Sequence, residues 1–103
     1  MDVKYKVEQD TLFIYLEGEL DECFANKIRP KLDNIIEENL LVKKVIFNLT
    51  SLRFMDSTGI GLLIGRYKKL HNTGIVSYIE NPLPSVQKVL EISGIYFLMP
   101  KIG

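Results

Sequence analysis

The first twenty residues contain two segments rich in apolar residues, separated by a polar pair in the manner of a β-hairpin. VKYKVEQ and TLFIYLEG are predicted to be two strands joined at Gln9 and Asp10, and hence antiparallel. The second strand is apolar on both faces, which predicts a central place in the sheet. One face carries aliphatic residues and the other aromatic ones: Leu12, Ile14 and Leu16 against Phe13 and Tyr15.

The next apolar residues recur every three or four positions, which is the period of a helix that buries one stripe. They are Phe24, Ile28, Leu32, Ile35 and Ile36. Pro30 falls inside this pattern and removes a backbone hydrogen bond. A kink or a restart of the helix is therefore expected at Pro30.

The second half of the chain alternates strands with helices. KKVIFNL predicts a strand, the loop TSLRFMD follows, and the next helix runs from Ser57 to about His71. Gly74 is suited to the left-handed position after that helix, and IVSYI predicts another strand. A last helix begins at or near Pro84 and stops at Gly94, and YFLM predicts a short edge strand.

The predicted order of elements is β-β-α-β-α-β-α-β, without repeats or linkers. Strand–helix–strand units require right-handed crossovers and parallel strands, whereas the opening hairpin is antiparallel. The sequence therefore predicts an α/β fold, with a mixed β-sheet and helices packed mainly on one side. The 103 residues suit a single domain over residues 1–103.

Composition narrows the possible partners. The chain has 13 basic and 13 acidic residues, so its net charge gives no broad attraction to nucleic acid or to an anionic membrane. Its apolar runs are shorter than the roughly 20 residues that span a bilayer, and its N-terminus lacks the apolar core of a signal peptide. The protein is expected in the cytoplasm. A single cysteine, Cys23, and a single histidine, His71, exclude an internal disulfide and a thiolate zinc cluster.

The helix that begins at Ser57 has an unusual outer side. On a helical projection, its core face is formed by Ile60, Leu63, Ile64, Tyr67 and Leu70. The opposite side carries Thr58, Gly61, Leu62, Gly65 and Lys69. The two glycines each lower helix stability by about 1 kcal/mol relative to alanine, but they let another backbone approach, and Leu62 adds an apolar contact. We hypothesise that this outer side, with Ser57 at its head, docks another protein.

Three short polar residues, Asp56, Ser57 and Thr58, stand at the start of this helix. The Asp56 carboxylate is predicted to cap the helix, and capping alone explains the polar cluster. Nucleotide binding is an alternative, but GIGLLIG has neither the Walker pattern nor G-x-G-x-x-G spacing and lies inside the helix. A serine nucleophile lacks its base, since His71 lies about 20 Å from Ser57 at about 1.5 Å per residue. The basic residues near the helix end complement its negative pole: Arg66, Lys68, Lys69 and His71.

Three segments of the chain resemble a known family. RFMDSTGIGLLIGRYKKL, together with GELDE and VLEISGIYFLMP, is similar to the STAS-domain anti-sigma factor antagonists, and most closely to the sporulation anti-anti-sigma factors of endospore-forming bacteria. The likeness runs from the first strand almost to the C-terminus. It implies a STAS-like fold and a non-enzymatic protein without a cofactor. Such a protein binds an anti-sigma factor that is also a serine kinase, and so releases the sigma factor.

The resemblance also implies roles for single residues. The kinase phosphorylates the serine directly after the motif's aspartate, here Ser57, which abolishes binding, and a serine phosphatase restores it. Thr58 is then a contact hydroxyl or a secondary acceptor. GELD resembles a loop that faces the partner, so Glu19 and Asp21 meet basic groups of the kinase, although Asp21 is equally suited to capping a helix. The expected partner-binding set is Glu19, Asp21, Asp56, Ser57, Thr58, Gly61, Leu62 and Gly65.

A phosphate on Ser57 is expected to leave the helix start folded, because negative charge is favoured at a helix N-terminus. Inhibition then comes from a bulky hydrated charge within the contact. Two other readings stay open: a STAS domain of a general stress or other partner-switching pathway, and a nucleotide-binding or hydrolytic domain. Family members usually continue into a final amphipathic helix, which the segment ending at Gly103 is expected to lack.

Overall fold

Six strands and three α-helices make up the chain in a computed structural model that describes residues 1–103. In chain order they are β1 (Asp2–Glu8), β2 (Thr11–Leu20), α1 (Glu22–Glu37), β3 (Lys44–Asn48), β4 (Leu52–Met55), α2 (Ser57–Asn72), β5 (Val76–Glu80), α3 (Pro84–Ser93), a 3-10 helix (Ile95–Phe97) and β6 (Lys101–Ile102). None of the helices combines the length and the hydropathy that a bilayer crossing needs.

The sheet is mixed, as predicted. Its strand order is β1-β2-β3-β5-β6, with β4 also paired to β2. The β1–β2 hairpin is antiparallel and the other pairs are parallel. The first half of β2 pairs with β3 and its last residues pair with β4, from Gly18 opposite Leu52 to Leu20 opposite Met55. The ends of β2 and β4 therefore lie side by side, next to the start of α2.

The helices cover one face of the sheet. On β2, the side chains of Leu12, Ile14 and Leu16 are fully buried beneath them, whereas Phe13 and Tyr15 are half-buried on the other face. This confirms the predicted arrangement of helices mainly on one side. It also confirms the central place predicted for β2, which is paired on both of its edges.

Two predictions of local structure are wrong. The segment predicted as a loop before Ser57 contains β4, which is too short for its buried ends, Leu52 and Met55, to show a period. The YFLM segment is not a strand, because Tyr96 and Phe97 belong to the turn of 3-10 helix after α3 and Leu98 and Met99 continue as turn and bend, with Phe97 95% exposed. The edge strand begins later, at Lys101.

Helix α1 runs without interruption past Pro30, so a restart of the helix there is wrong. Proline removes the hydrogen bond to the carbonyl four residues earlier, which belongs to Asn26. Both Pro30 and Asn26 are exposed. Water can therefore reach this turn, and the helix continues.

Candidate functional site

Two helix N-termini converge beside Ser57, and a carboxylate caps each of them. Asp21 caps α1, its Oδ1 accepting a hydrogen bond from the backbone N–H of Phe24 at 3.0 Å. Asp56 caps α2, its Oδ1 accepting from the N–H groups of Thr58 at 3.0 Å and Gly59 at 3.3 Å. These bonds satisfy donors that have no partner in the first turn. The capping predicted for both aspartates is confirmed.

An acidic depression lies on one side of this junction. It has a volume of about 540 Å³ and is lined by Asp21, Glu22, Cys23, Asn26 and Asp56. Three of its five lining residues carry carboxylates. They do not form a metal site, since the structure contains no group of three or more His, Cys, Asp or Glu side chains that could hold a metal ion. The depression is therefore a surface of negative potential, suited to the basic side chains of a protein.

An apolar groove lies on the other side, between α2 and α3. It has a volume of about 290 Å³ and is lined by Ser57, Ile60, Val89, Ile92 and Ser93. Ile92 is 88% exposed, which leaves a large aliphatic side chain standing at the edge of the groove. Neither Val89 nor Ile92 was predicted to belong to a functional site. Their signal was present, since α3 carries apolar residues beyond the buried pair Val86 and Leu90.

Ser57 stands between these two surfaces. It is the first residue of α2 and is exposed, while the neighbouring Thr58 is partly buried. Glu19 is exposed near the end of β2, where it pairs in register with Phe54 of β4, itself 48% exposed. The N–H of Asp56 donates to the carbonyl of Leu20 at 3.4 Å and so ties the end of β2 to the start of α2.

The outer side predicted for α2 is only partly correct. Gly61 is exposed and Gly65 is half-buried, and a Cβ added at either would meet nothing within 4 Å. Leu62, however, is 3% exposed and belongs to the core, so its placement on the docking surface is wrong. The reason is that α2 packs between α1 and α3, which widens its buried arc beyond a single stripe. The open stripe of α2 is Ser57, Gly61 and Gly65.

Gly59 has a structural role that was not predicted from the sequence. A Cβ at this position would lie 2.7 Å from Cγ of Met55 and 3.0 Å from Cγ of Leu20. These separations are shorter than any ordinary van der Waals contact. The absence of a side chain at Gly59 lets the first turn of α2 pack directly on the ends of β2 and β4.

An ion pair joins α1 to α2. The side chain of Arg66 is 8% exposed, and its Nε lies 3.0 Å from Oδ1 of Asp33, which Lys69 Nζ also approaches to 3.1 Å. Nη1 of Arg66 is buried without a hydrogen-bond partner. Burial lowers the pKa of the Arg66 guanidinium, Asp33 opposes that effect, and Arg29 adds to it. Of the four basic residues predicted to complement the negative pole of α2, Lys69 and His71 lie in its last turn, whereas Arg66 lies one turn earlier and is buried between helices.

Comparison with known proteins supplies a family and a set of relatives. The STAS domain family matches residues 2–103. The anti-sigma F factor antagonist of Paenibacillus polymyxa is 29% identical over 97% of this chain and 85% of its own length. That of Lysinibacillus sphaericus is 38% identical over 86% of this chain and 75% of its own length. The anti-sigma-B factor antagonist of Bacillus subtilis is 25% identical over 92% of this chain and 84% of its own length.

Solved structures have the same fold. The anti-sigma factor antagonist SpoIIAA in its unphosphorylated form superposes with a TM-score of 0.80 at 33% identity, covering 99% of this chain and 89% of that one. The Bacillus cell fate determinant SpoIIAA in the phosphorylated form superposes with a TM-score of 0.71 at 33% identity, covering 99% of this chain and 92% of that one.

Proposed function

Because this chain belongs to the STAS domain family, we propose that it is an anti-sigma factor antagonist governed by phosphorylation of Ser57. The unphosphorylated form binds an anti-sigma factor with serine kinase activity and so releases a sigma factor. The kinase phosphorylates Ser57 and ends the binding, and a serine phosphatase restores it. The protein acts in the cytoplasm by binding, with no catalytic step of its own and no contact with nucleic acid or membrane.

The observation that carries this proposal is the position of Ser57. Its exposed hydroxyl lies at a helix start between the acidic depression and the apolar groove. A partner that covers both surfaces covers Ser57 as well. Modification of one hydroxyl therefore controls the whole contact.

The chemistry of the two surfaces describes the partner. Glu19, Asp21 and Asp56 present carboxylates, which call for lysine or arginine side chains opposite them. The apolar groove, with Ile60 and Ile92, calls for an aliphatic or aromatic side chain that is desolvated on binding. This groove replaces Leu62 as the apolar part of the proposed surface.

Phosphorylation acts on this surface locally. A phosphate adds about −1.5 to −2 charge at pH 7, next to Asp56 and beside an apolar groove. The same charge is favoured at the N-terminus of α2, so the helix stays folded. The likeness of this chain to SpoIIAA in both its unphosphorylated and its phosphorylated forms supports a switch without a change of fold.

The sporulation pathway is the first candidate, because anti-sigma F factor antagonists are among the relatives. A general stress pathway is the second, because anti-sigma-B factor antagonists are also among them. Capture of one or the other anti-sigma factor from a cell extract by the unphosphorylated protein distinguishes the two.

The direct test is to incubate the protein with the anti-sigma kinase and ATP and to map the modified residue by mass spectrometry. We expect one phosphate on Ser57, none on a Ser57→Ala variant, and full incorporation into Thr58→Ala. Modification of Thr58 alone, or no modification, would refute the assignment. A kinase preparation that phosphorylates SpoIIAA in parallel makes a negative result conclusive.

Gly59 and Gly61, both on α2, provide a matched pair of variants, because only Gly61 belongs to the open stripe of α2. Gly61→Ala is expected to raise the free energy of unfolding by up to about 1 kcal/mol, because its Cβ projects into open space. Gly59→Ala is expected to lower it by about 1 to 2 kcal/mol, because overpacking against Met55 and Leu20 exceeds the gain in helix propensity. Urea unfolding followed by circular dichroism measures both.

The stable member of the pair then tests the interface. Gly61→Ala is expected to weaken binding to the anti-sigma kinase roughly tenfold, because the added methyl group stands where the partner approaches. Isothermal titration calorimetry gives the affinity. An unchanged affinity would remove Gly61 from the proposed surface while leaving the role of Ser57 intact.

A further inference from the structure

The sheet has an open edge at β1. This strand pairs only with β2, so the seven residues Asp2–Glu8 have no strand on their other side. Alternate residues of such a strand direct their backbone N–H and C=O groups away from the sheet. Unpaired groups in a row form a template on which another strand can add. We call this row the β1 edge.

The outward backbone groups of the β1 edge belong to Val3, Tyr5 and Val7. The N–H of Val3 donates to Oδ1 of Asp2 at 2.9 Å and is therefore not bonded to β2. Because the direction alternates along a strand, Tyr5 and Val7 point outward as well. The two-residue turn after Glu8 requires the same phase, since the hydrogen bond of such a turn directs Glu8 toward β2.

Apolar side chains adjoin these open backbone groups. Tyr5 and Val7 pair in register with Ile14 and Leu12, which are fully buried beneath the helices, yet Tyr5 is 47% and Val7 is 45% exposed. Val7 also lines a depression of about 230 Å³ together with Leu41, whose side chain is 99% exposed. Exposed apolar side chains beside an open strand edge are typical of an interaction surface.

The sequence of β1 is complementary to a second copy of itself. A two-fold axis at Lys6 pairs two β1 strands antiparallel, with Tyr5 of each copy opposite Val7 of the other. The outward N–H and C=O groups of Tyr5 and Val7 then bond each other, twice by symmetry. On the opposite face of the sheet the same register sets Lys4 of each copy opposite Glu8 of the other, and opposite charges across a strand pair are stabilising.

Other registers fit less well. Setting Tyr5 opposite Tyr5 places Lys4 opposite Lys6 at two points, and like charges directly opposite are destabilising. Setting Val7 opposite Val7 leaves Tyr5 opposite the turn, and larger shifts carry one of these two residues beyond the other strand. The register about Lys6 contains a single pair of like charges, Lys6 with Lys6. Each Lys6 Nζ lies 2.8 Å from Oε1 of its own Glu8, which reduces their repulsion.

We propose that a second copy of the chain docks on the β1 edge, antiparallel about Lys6, so that the two sheets become one. Tyr5 of each copy packs beside Val7 and Leu41 of the other, over the depression that these two residues line. The contact is small compared with the roughly 800 Å² per partner of a standard interface, so a dissociation constant on the order of 0.1 mM is expected.

The β1 edge lies away from the surface proposed for the anti-sigma kinase. Lys6 pairs in register with Phe13, which precedes Glu19 on β2 by about 20 Å at about 3.3 Å per residue. A dimer formed at this edge therefore leaves Ser57 exposed. It goes beyond the proposed function and does not depend on it.

Sedimentation equilibrium between about 10 µM and 1 mM tests for the dimer. The unmodified protein is expected to change from monomer to dimer over this range. Tyr5→Lys is expected to weaken the association at least about tenfold, because a charge replaces the apolar contact. Phe97→Lys is the control: it replaces a 95% exposed aromatic residue outside the β1 edge and should leave the association unchanged. A protein that stays monomeric at 1 mM, or an association unaffected by Tyr5→Lys, would overturn the proposal.

A cross-linking experiment tests the register. The exposed Cys23 is first replaced by alanine. In that background Lys6→Cys places two sulfur atoms across a non-hydrogen-bonded pair, whose Cα separation of about 4.5 Å suits a disulfide. Lys4→Cys is the matched control, because the two Lys4 positions lie about 13 Å apart. Under mild oxidation we expect the Lys6→Cys dimer to form at least about tenfold faster. Equal rates for the two variants would contradict pairing about Lys6.

Discussion

Replacing Asp33 by alanine is expected to lower the free energy of unfolding by about 3 kcal/mol, which is a large share of the roughly 5 to 15 kcal/mol typical of a domain. The change leaves the guanidinium of Arg66 buried without its counter-ion, because the Arg66 side chain is only 8% exposed. Asp33 is itself 21% exposed, so the expected loss lies at the lower end of the range of about 3 to 5 kcal/mol for broken buried pairs. The thermal midpoint falls by roughly 12 to 24 °C.

A matched variant on α2 separates the contribution of the Asp33–Arg66 ion pair to stability from that of side-chain packing. Arg66→Met removes the charge and keeps most of the side-chain volume, so we expect a stability within about 1 kcal/mol of the unmodified protein. The double variant Asp33→Ala with Arg66→Met is expected to recover most of the loss, because no unpaired charge stays buried. Urea unfolding of the three variants measures the coupling.

Two results would contradict this account. One is an Asp33→Ala variant as stable as the unmodified protein, and the other is a double variant no more stable than Asp33→Ala. The Lys69–Asp33 ion pair contributes little to stability, although Lys69 Nζ lies 3.1 Å from Asp33 Oδ1, because the Lys69 side chain is 48% exposed. Ion pairs of that exposure typically contribute only about 0 to 1 kcal/mol.

The strands and helices were predictable from the spacing of apolar residues where an element packs against a single neighbouring layer. β2 carries aliphatic residues on one face and aromatic ones on the other, and α2 starts where Asp56 can cap it, so both were predictable. β4 has four residues and only two buried ones, which no period can reveal. The segment at the 3-10 helix Ile95–Phe97 was wrongly predicted as a strand, because a short run of apolar residues has no period that distinguishes a strand from a helix.

The candidate site was predictable to the extent that it is local. Asp21, Asp56 and Ser57 lie next to the helix starts that their own side chains help to define. Arg66 was misjudged because its partner Asp33 lies on α1, and Leu62 because α2 packs between α1 and α3. The apolar groove has the same origin, since Ile60 and Ile92 meet only once α3 packs beside α2. A helical projection of one element cannot show what its neighbours cover.

Phosphorylation of Ser57 is expected to weaken binding to the anti-sigma kinase by at least about a hundredfold, which corresponds to about 2.7 kcal/mol. In the contact proposed above, the partner's cations are paired with Glu19, Asp21 and Asp56 and an apolar group covers the groove beside Ser57, so no unpaired cation is left for a phosphate. The added charge therefore loses hydration on binding and lies against the carboxylate of Asp56. Titration calorimetry of the phosphorylated and unphosphorylated protein against the kinase measures the difference.

The same modification is expected to change the stability of the free protein by less than about 1 kcal/mol, because the dipole of α2 favours the phosphate while Asp56 repels it. Circular dichroism and thermal unfolding of the phosphorylated protein test this half of the argument. Ser57→Ala is the control that should bind the kinase normally and never lose that binding in the presence of ATP. If phosphorylation instead melted the first turn of α2, the lost affinity would come from unfolding, because Thr58 and Gly59 would no longer donate to Asp56. Retained helicity together with lost affinity is the combination that assigns the switch to charge at the docking surface.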